Sequence, residues 1–314
     1  MRPGVTSLLA GVLVWSSVAF GAPPFASVAS LDSAAHARLD AGIAKARRES
    51  PAAFGDVAAI VARADALDHA KRGRFYPMTP LLRDATRGRP GASLALLEPL
   101  LFPERFTMPA SESARIALRA GLIEASGDLR DPAAAPVYRS IVATGTEFFE
   151  VRAAVEALGK LGTDSDAALI SNLALTPGPK QDAAIAGLGG CRRLAAASAL
   201  ARLGGQKPEG ARARALLWSL ATMASAWALA TPNAAPAAEA PAIRDTAARG
   251  ALAVFVGAED PSVRLEASNA LMTIDAPDTP SWIAAAKKDA SPALAAQLDA
   301  LATRFAHNPT RGTR

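Results

Sequence analysis

Apolar residues recur at helical spacing along most of this chain, most regularly over residues 151–162. Val151, Val155, Leu158 and Leu161 fall at i, i+4, i+7 and i+10, which makes one apolar stripe on a helix. Arg152, Glu156 and Lys160 follow one another at i+4 steps, so the same helix carries a charged row predicted to face outward. Gly159 lies inside its last turn, and Gly162 suits the left-handed residue that closes a helix. Thr163 or Asp164 can then cap a following helix, and so short a connection requires the two helices to run antiparallel.

Six dipeptides mark further helix starts: Ser50-Pro51, Thr79-Pro80, Asp131-Pro132, Asp260-Pro261, Thr279-Pro280 and Ser291-Pro292. In each, a side-chain oxygen can accept from an orphan amide, while proline occupies a position that needs no amide. With the periodicity they predict fifteen helices and no strand: 32–49, 51–70, 80–88, 92–101, 111–126, 132–143, 147–161, 165–175, 180–188, 191–203, 209–230, 242–256, 261–273, 280–289 and 292–306. Residues 22–30 and 307–314 are expected to be loose ends. The Ala/Pro-rich run 231–241 reads as an extended loop that either projects or sets a last group of helices apart.

The 151–162 pattern recurs in weakened form. Arg115 opens a similar helix 37 residues before Arg152, and Leu188-Gly189 repeats Leu158-Gly159 30 residues later. Val263-Arg264 with Leu271 repeats Val151-Arg152 with Leu158, Leu271 lying 113 residues beyond Leu158. Units of roughly 30 to 40 residues, each two helices long, are the spacing of an α-solenoid. These residues resemble HEAT-type repeats of the kind also found in phycobilisome-lyase-like proteins, whose pattern runs Asp-Pro-x-Val-Arg, then Ala, then Ala-Leu-Gly. The copy at Asp260 has Met272 where glycine is usual, and the copy at Val151 is one residue short between Arg and Leu. The resemblance covers residues 111–306, interrupted by the 231–241 loop, and extends to 31–110 by analogy. It implies an all-α solenoid of antiparallel helix pairs that serves as a binding scaffold. It also brings in bilin attachment, but the shared positions are packing positions, and the leader described next places the chain away from such a substrate.

Composition agrees with close-packed helices: alanine supplies 77 of 314 residues, whereas aromatics make up 5%. Residues 1–21 hold a single charge, Arg2, then an apolar run from Ser7 to Phe20 and small residues before Ala22. That is the layout of a cleaved secretory signal, so a periplasmic or secreted protein is expected. No cysteine stands near the cleavage site, which excludes a lipid anchor there. The lone Cys191 cannot form an internal disulfide; beside Arg192 and Arg193 it reads as a buried helix residue rather than a reactive thiol.

Catalytic patterns are missing. The three histidines have no second His or Cys at ligand spacing, and the nucleophile-elbow and zinc-protease motifs are absent. Asp65 and His69, at i and i+4, read as an exposed helix pair, and no cofactor is expected. Arg115, Arg152 and Arg264 read as structural ladders. Binding candidates remain. The basic stretch 71–89 holds Lys71, Arg72, Arg74, Tyr76 and Arg83, and could take a polysaccharide or another polyanion; with export expected, nucleic acid is not. The apolar run 215–230 is too short to span a membrane and reads as a core helix. Its Trp218 and Trp227 lie nine residues apart on different faces of that helix, so one of them is expected at the surface as an anchor for a partner protein.

Overall fold

The structure, a computed structural model, describes residues 31–71, 78–231 and 236–309, without the side chains of 69–71. The expected signal segment 1–21 and the loose end 22–30 lie outside the described residues. Every regular element among those described is helical. The chain order is α1 (Ser33–Glu49), α2 (Pro51–Ala62), α3 (Ala64–Lys71), α4 (Thr79–Thr86), α5 (Ala92–Leu101), α6 (Glu112–Asp128), α7 (Ala135–Thr144), α8 (Phe148–Leu161) and α9 (Asp164–Leu175). Then follow α10 (Gln181–Gly187), α11 (Leu194–Gly204), α12 (Gly210–Ala224), α13 (Ala226–Ala230), α14 (Ala240–Gly257), α15 (Pro261–Ile274), α16 (Thr279–Lys288) and α17 (Pro292–Ala306).

Two expected helices are each broken in two. The 51–70 helix stops at Arg63, whose amide bonds back to Ile60 in a tighter turn. The break turns α3 onto α6, where the Asp65 carboxylate accepts from the amides of Ala110 and Ser111 at 2.7 and 3.0 Å. Asp65 therefore holds the start of α6, and these backbone bonds push its pKa down; the side chain of His69, its expected partner, lies outside the described residues. The 209–230 helix breaks at Ser225, which is extended (φ −60°, ψ 149°) and accepts from the Ala228 amide at 3.1 Å. A serine without a following proline looked like any other helix residue in the sequence.

The caps divide evenly. Asp131, Asp260 and Ser291 cap as expected, although Asp131 opens a 3-10 turn (Pro132–Ala134) before α7. Ser50 makes no side-chain cap bond. Thr79 and Thr279 lie one residue inside their helices, and the Thr79 hydroxyl bonds Glu124 instead. Helix α14 starts at Ala240, so Pro241 belongs to its first turn and not to the loop; residues 232–235 of that loop are outside the described set. At the other end, buried Asn308 donates to Met272 O at 2.9 Å, so the expected loose tail is tied down at least to there.

Helices α4, α6, α8, α10, α12, α15 and α17 lie side by side in that order as one row. A second row, α9, α11, α14 and α16, packs against it, and Arg139 joins α7 to α9 through Asp166 at 2.7 and 3.0 Å. Helices α1, α2, α3 and α5 cover the N-terminal end through contacts with α4, α5 and α6. One apolar core runs from Leu39 to Phe305, so the 231–241 segment separates no independent group of helices. The recurrences at Arg115, Arg152, Leu188 and Arg264 fall in or directly after α6, α8, α10 and α15, all members of the first row.

Helix α8 is enclosed on most sides. Val151, Val155 and Leu158 are buried as their spacing predicts, and Gly162 closes the helix in the left-handed region at φ 71°. Its neighbours touch it through small residues. A Cβ on Gly159 would stand 2.7 Å from the Cys191 side chain and 2.8 Å from its backbone nitrogen. The charged row does not face bulk water. Arg152 pairs with Glu124 of α6, and Lys160 bonds Asp128 at 2.7 Å and also meets Glu156. Arg83 of α4 reaches the same Asp128. Three bases and three acids thus balance across α4, α6 and α8, and the Lys160 side chain is only 12% exposed.

Two predictions follow from this packing. Gly159→Ala should destabilise by about 1–3 kcal/mol, because backbone stands where the methyl must go. Gly55→Ala, in an exposed turn of α2 with open space around it, should stabilise by about 0.5–1 kcal/mol. Urea unfolding of both variants checks the pair, and an opposite order of stabilities would contradict the assigned contact. Removing the Lys160 charge as Lys160→Met leaves Glu156 and Asp128 short of a partner and should cost about 3 kcal/mol. Burial lowers the Lys160 pKa, but those two carboxylates outweigh it and hold it above the usual 10.5. The pairing is therefore complete below pH 10.5 and is lost as pH rises through the higher folded-state value, so wild type should lose stability more steeply than Lys160→Met above about pH 10.5.

Candidate binding site

The break at Ser225 decides what happens to the two tryptophans. In an unbroken helix Trp218 and Trp227 would point to different faces. The extended Ser225 redirects α13, and both indoles become exposed, at 73% and 82%. Both line one cavity of about 870 Å³. The sequence led to the expectation of one tryptophan at the surface, and both are there.

The cavity is a groove built from two helical stripes. From α12 come Arg214, Trp218, Ala221 and Thr222, at i, i+4, i+7 and i+8. From α15 come Glu266, Asn269, Ala270 and Thr273, also one face of a helix. Helix α13 closes one side with Trp227 and Ala228, and Arg192 reaches in from the turn before α11. Alanines on both stripes, Ala221 and Ala270, keep the floor low, so the indoles stand clear of it as walls. Buried Leu216, Leu220 and Met223 on the remaining faces of α12 anchor it in the core, and buried Leu217 lies between them and the groove. The size lies within the range of ordinary ligand pockets.

None of the other sequence candidates whose side chains are described lines this groove. Lys71, Arg72, Arg74 and Tyr76 lie outside the described residues or side chains. Arg83 pairs with Asp128, Arg87 with Asp84 at 2.7 Å, and Arg89 with Asp56 at 2.6 Å. Two of those acids come from other helices, so the stretch is less basic in space than along the chain. Arg115 donates to the carbonyls of Pro109 and Ala110, Arg152 pairs with Glu124, and Arg264 has a buried Nε without a hydrogen bond. These three arginines share a register but not a partner, so they form no ladder. Leu188 and Gly189 are buried in a 3-10 turn (Leu188–Gly190), and Val263 and Leu271 are core residues.

Among the described residues no group of three or more His, Cys, Asp or Glu side chains is placed to hold a metal ion. None of their helices is long and apolar enough to cross a membrane. Cys191 is fully buried against Gly159, and burial pushes its thiol up to about 12. The chain matches no family model, and neither a curated protein nor a solved structure is detectably similar to it.

Cys191 supplies a direct check on the packing. At pH 8 its thiol stays protonated and enclosed, so a disulfide reagent should leave it unmodified in the native protein and label it fully once the chain is unfolded. Rapid labelling under native conditions would show that the α8–α11 junction is open.

Proposed function

We propose that this chain is a non-catalytic helical-repeat scaffold, exported to the periplasm or beyond, that holds another protein in the groove between Trp218 and Trp227. The observation that carries this reading is the pair of exposed indoles in one cavity, in a chain with only four tryptophans. Burying an indole against a partner removes a large apolar area from water, and such residues dominate binding energies at interfaces.

A HEAT-like α-solenoid is the architecture that best accounts for the cross-links between helices. The two side-chain bonds that join α4 to α6 span 45 residues, while five between other neighbouring helices connect residues 27 to 36 apart: Arg139 to Asp166, Arg119 to Glu150, Lys160 to Asp128, Arg212 to Asp182 and Arg304 to Ser268. That interval matches the recurrence of the sequence pattern and is what stacking two-helix units produces. Export is supported by the layout of residues 1–21. The polyanion alternative loses ground because Arg83, Arg87 and Arg89 already have carboxylate partners.

The test compares wild type with the double variant Trp218→Ala/Trp227→Ala. Both side chains are exposed, so stability should change by less than about 0.5 kcal/mol. A photo-reactive residue at Thr222 should cross-link a protein from envelope extract in wild type, with at least a tenfold loss in the double variant. Equal cross-linking in both proteins, or turnover of a substrate by the purified chain, would remove this reading.

A further inference from the structure

The groove is not uniformly apolar. Arg192 lines it, and its Nε is buried without a hydrogen bond. Burial and the nearby Arg130 lower its pKa, with Glu156 opposing more weakly. A guanidinium nevertheless keeps its charge at any ordinary pH, so the half-buried Arg192 in the lining favours a ligand that brings an anion beside it. Arg214 adds a second positive charge, against Glu266 as the one acid in the lining. The groove is therefore complementary to a ligand with a negative group.

The remaining polar groups narrow the ligand class. Ser225 Oγ already caps α13, Asn269 Oδ1 accepts from Arg304 at 2.8 Å, and the Thr273 hydroxyl donates to Asn269 O at 3.0 Å. A sugar polymer depends on many free hydrogen-bonding partners, and here most are engaged within the fold. Besides Thr222 and Glu266, the lining offers two indole faces, a floor of alanines and the arginines. That set suits an extended peptide: apolar or proline side chains pack on indoles, while a carboxylate takes a guanidinium in a paired bond.

We propose that the groove binds an extended segment of a partner protein in which an Asp or Glu stands beside apolar or proline residues, the carboxylate pairing with Arg192 and the apolar residues packing between Trp218 and Trp227. This rests on the scaffold reading above and adds the chemistry of the partner. The full-length protein is to be screened against a position-scanning library of N-acetylated, C-amidated hexapeptides. The best acidic sequence is then titrated beside its Gln or Asn counterpart, following tryptophan emission.

The acidic peptide should bind about tenfold more tightly than its amide counterpart. Arg192→Gln should reduce that ratio to about one, and Trp227→Ala should weaken both peptides at least tenfold. The acid–amide comparison on wild type needs no variant, so a poorly folded Arg192→Gln protein leaves the test intact. If acid and amide bind alike but both need Trp227, the carboxylate assignment is wrong while the scaffold groove stands. If no library peptide binds, the proposal fails. If the protein then sediments with phosphatidylglycerol vesicles through its tryptophans, the scaffold reading fails with it.

Discussion

The distance between neighbouring helices in the first row is the constraint on which the rest depends. Helix α8 meets α6 and the α10–α11 junction where side chains are nearly absent: a Cβ on Gly127 would stand 2.6 Å from that of Ala157, and Gly159 and Gly187 are equally tight against Cys191 and Val155. Helices that approach this closely trade side-chain bulk for backbone and Cβ contact along their whole length. The alanine content is the compositional trace of that choice. It also explains why so few aromatics are needed: little space is left between the helices to fill.

Close approach brings charge in with it. Arg152, Glu156 and Lys160 occupy the face of α8 that any isolated amphipathic helix would turn to water. With α6 so near, they have room only among Glu124, Asp128 and, from α4, Arg83. Desolvation there is tolerable because the six groups balance and bond one another; removing one would leave the others short. Arg212 with Asp182 and Arg139 with Asp166 extend the same device to α12 with α10 and to α7 with α9. These bonds fix which helix lies beside which, a task the nondirectional contacts of alanine perform poorly.

The groove arises where that regularity lapses. Between α12 and α15 the chain inserts the short α13 and the 231–239 connection, and the Ser225 break turns Trp227 outward beside Trp218. Elsewhere among the described residues the large exposed apolar side chains are leucines and the Phe148–Phe149 pair. The two long walls of the groove belong to α12 and α15, whose other faces lie in the core, and that holds its lining in place.

Periodicity and composition by themselves determined that the regular elements of the described residues are all helical, where most helices begin and end, and that Val151, Val155 and Leu158 turn inward. Those features are local: a stripe of apolar residues, a capping oxygen before proline and a glycine at φ 71° act within a turn or two of chain. The site was half legible. Both tryptophans could be named from the sequence as anchors, but not their convergence, because a one-residue break at Ser225 has no strong sequence signal. Arg192 was visible as a neighbour of Cys191 and not as part of a groove. The fate of charges was likewise decided by tertiary structure: Arg152 and Lys160 became interhelical links, and Arg83 was neutralised by Asp128, a residue 45 positions away. Whether a charged side chain meets water or a partner depends on which other helix arrives beside it, and no pattern within one helix carries that information.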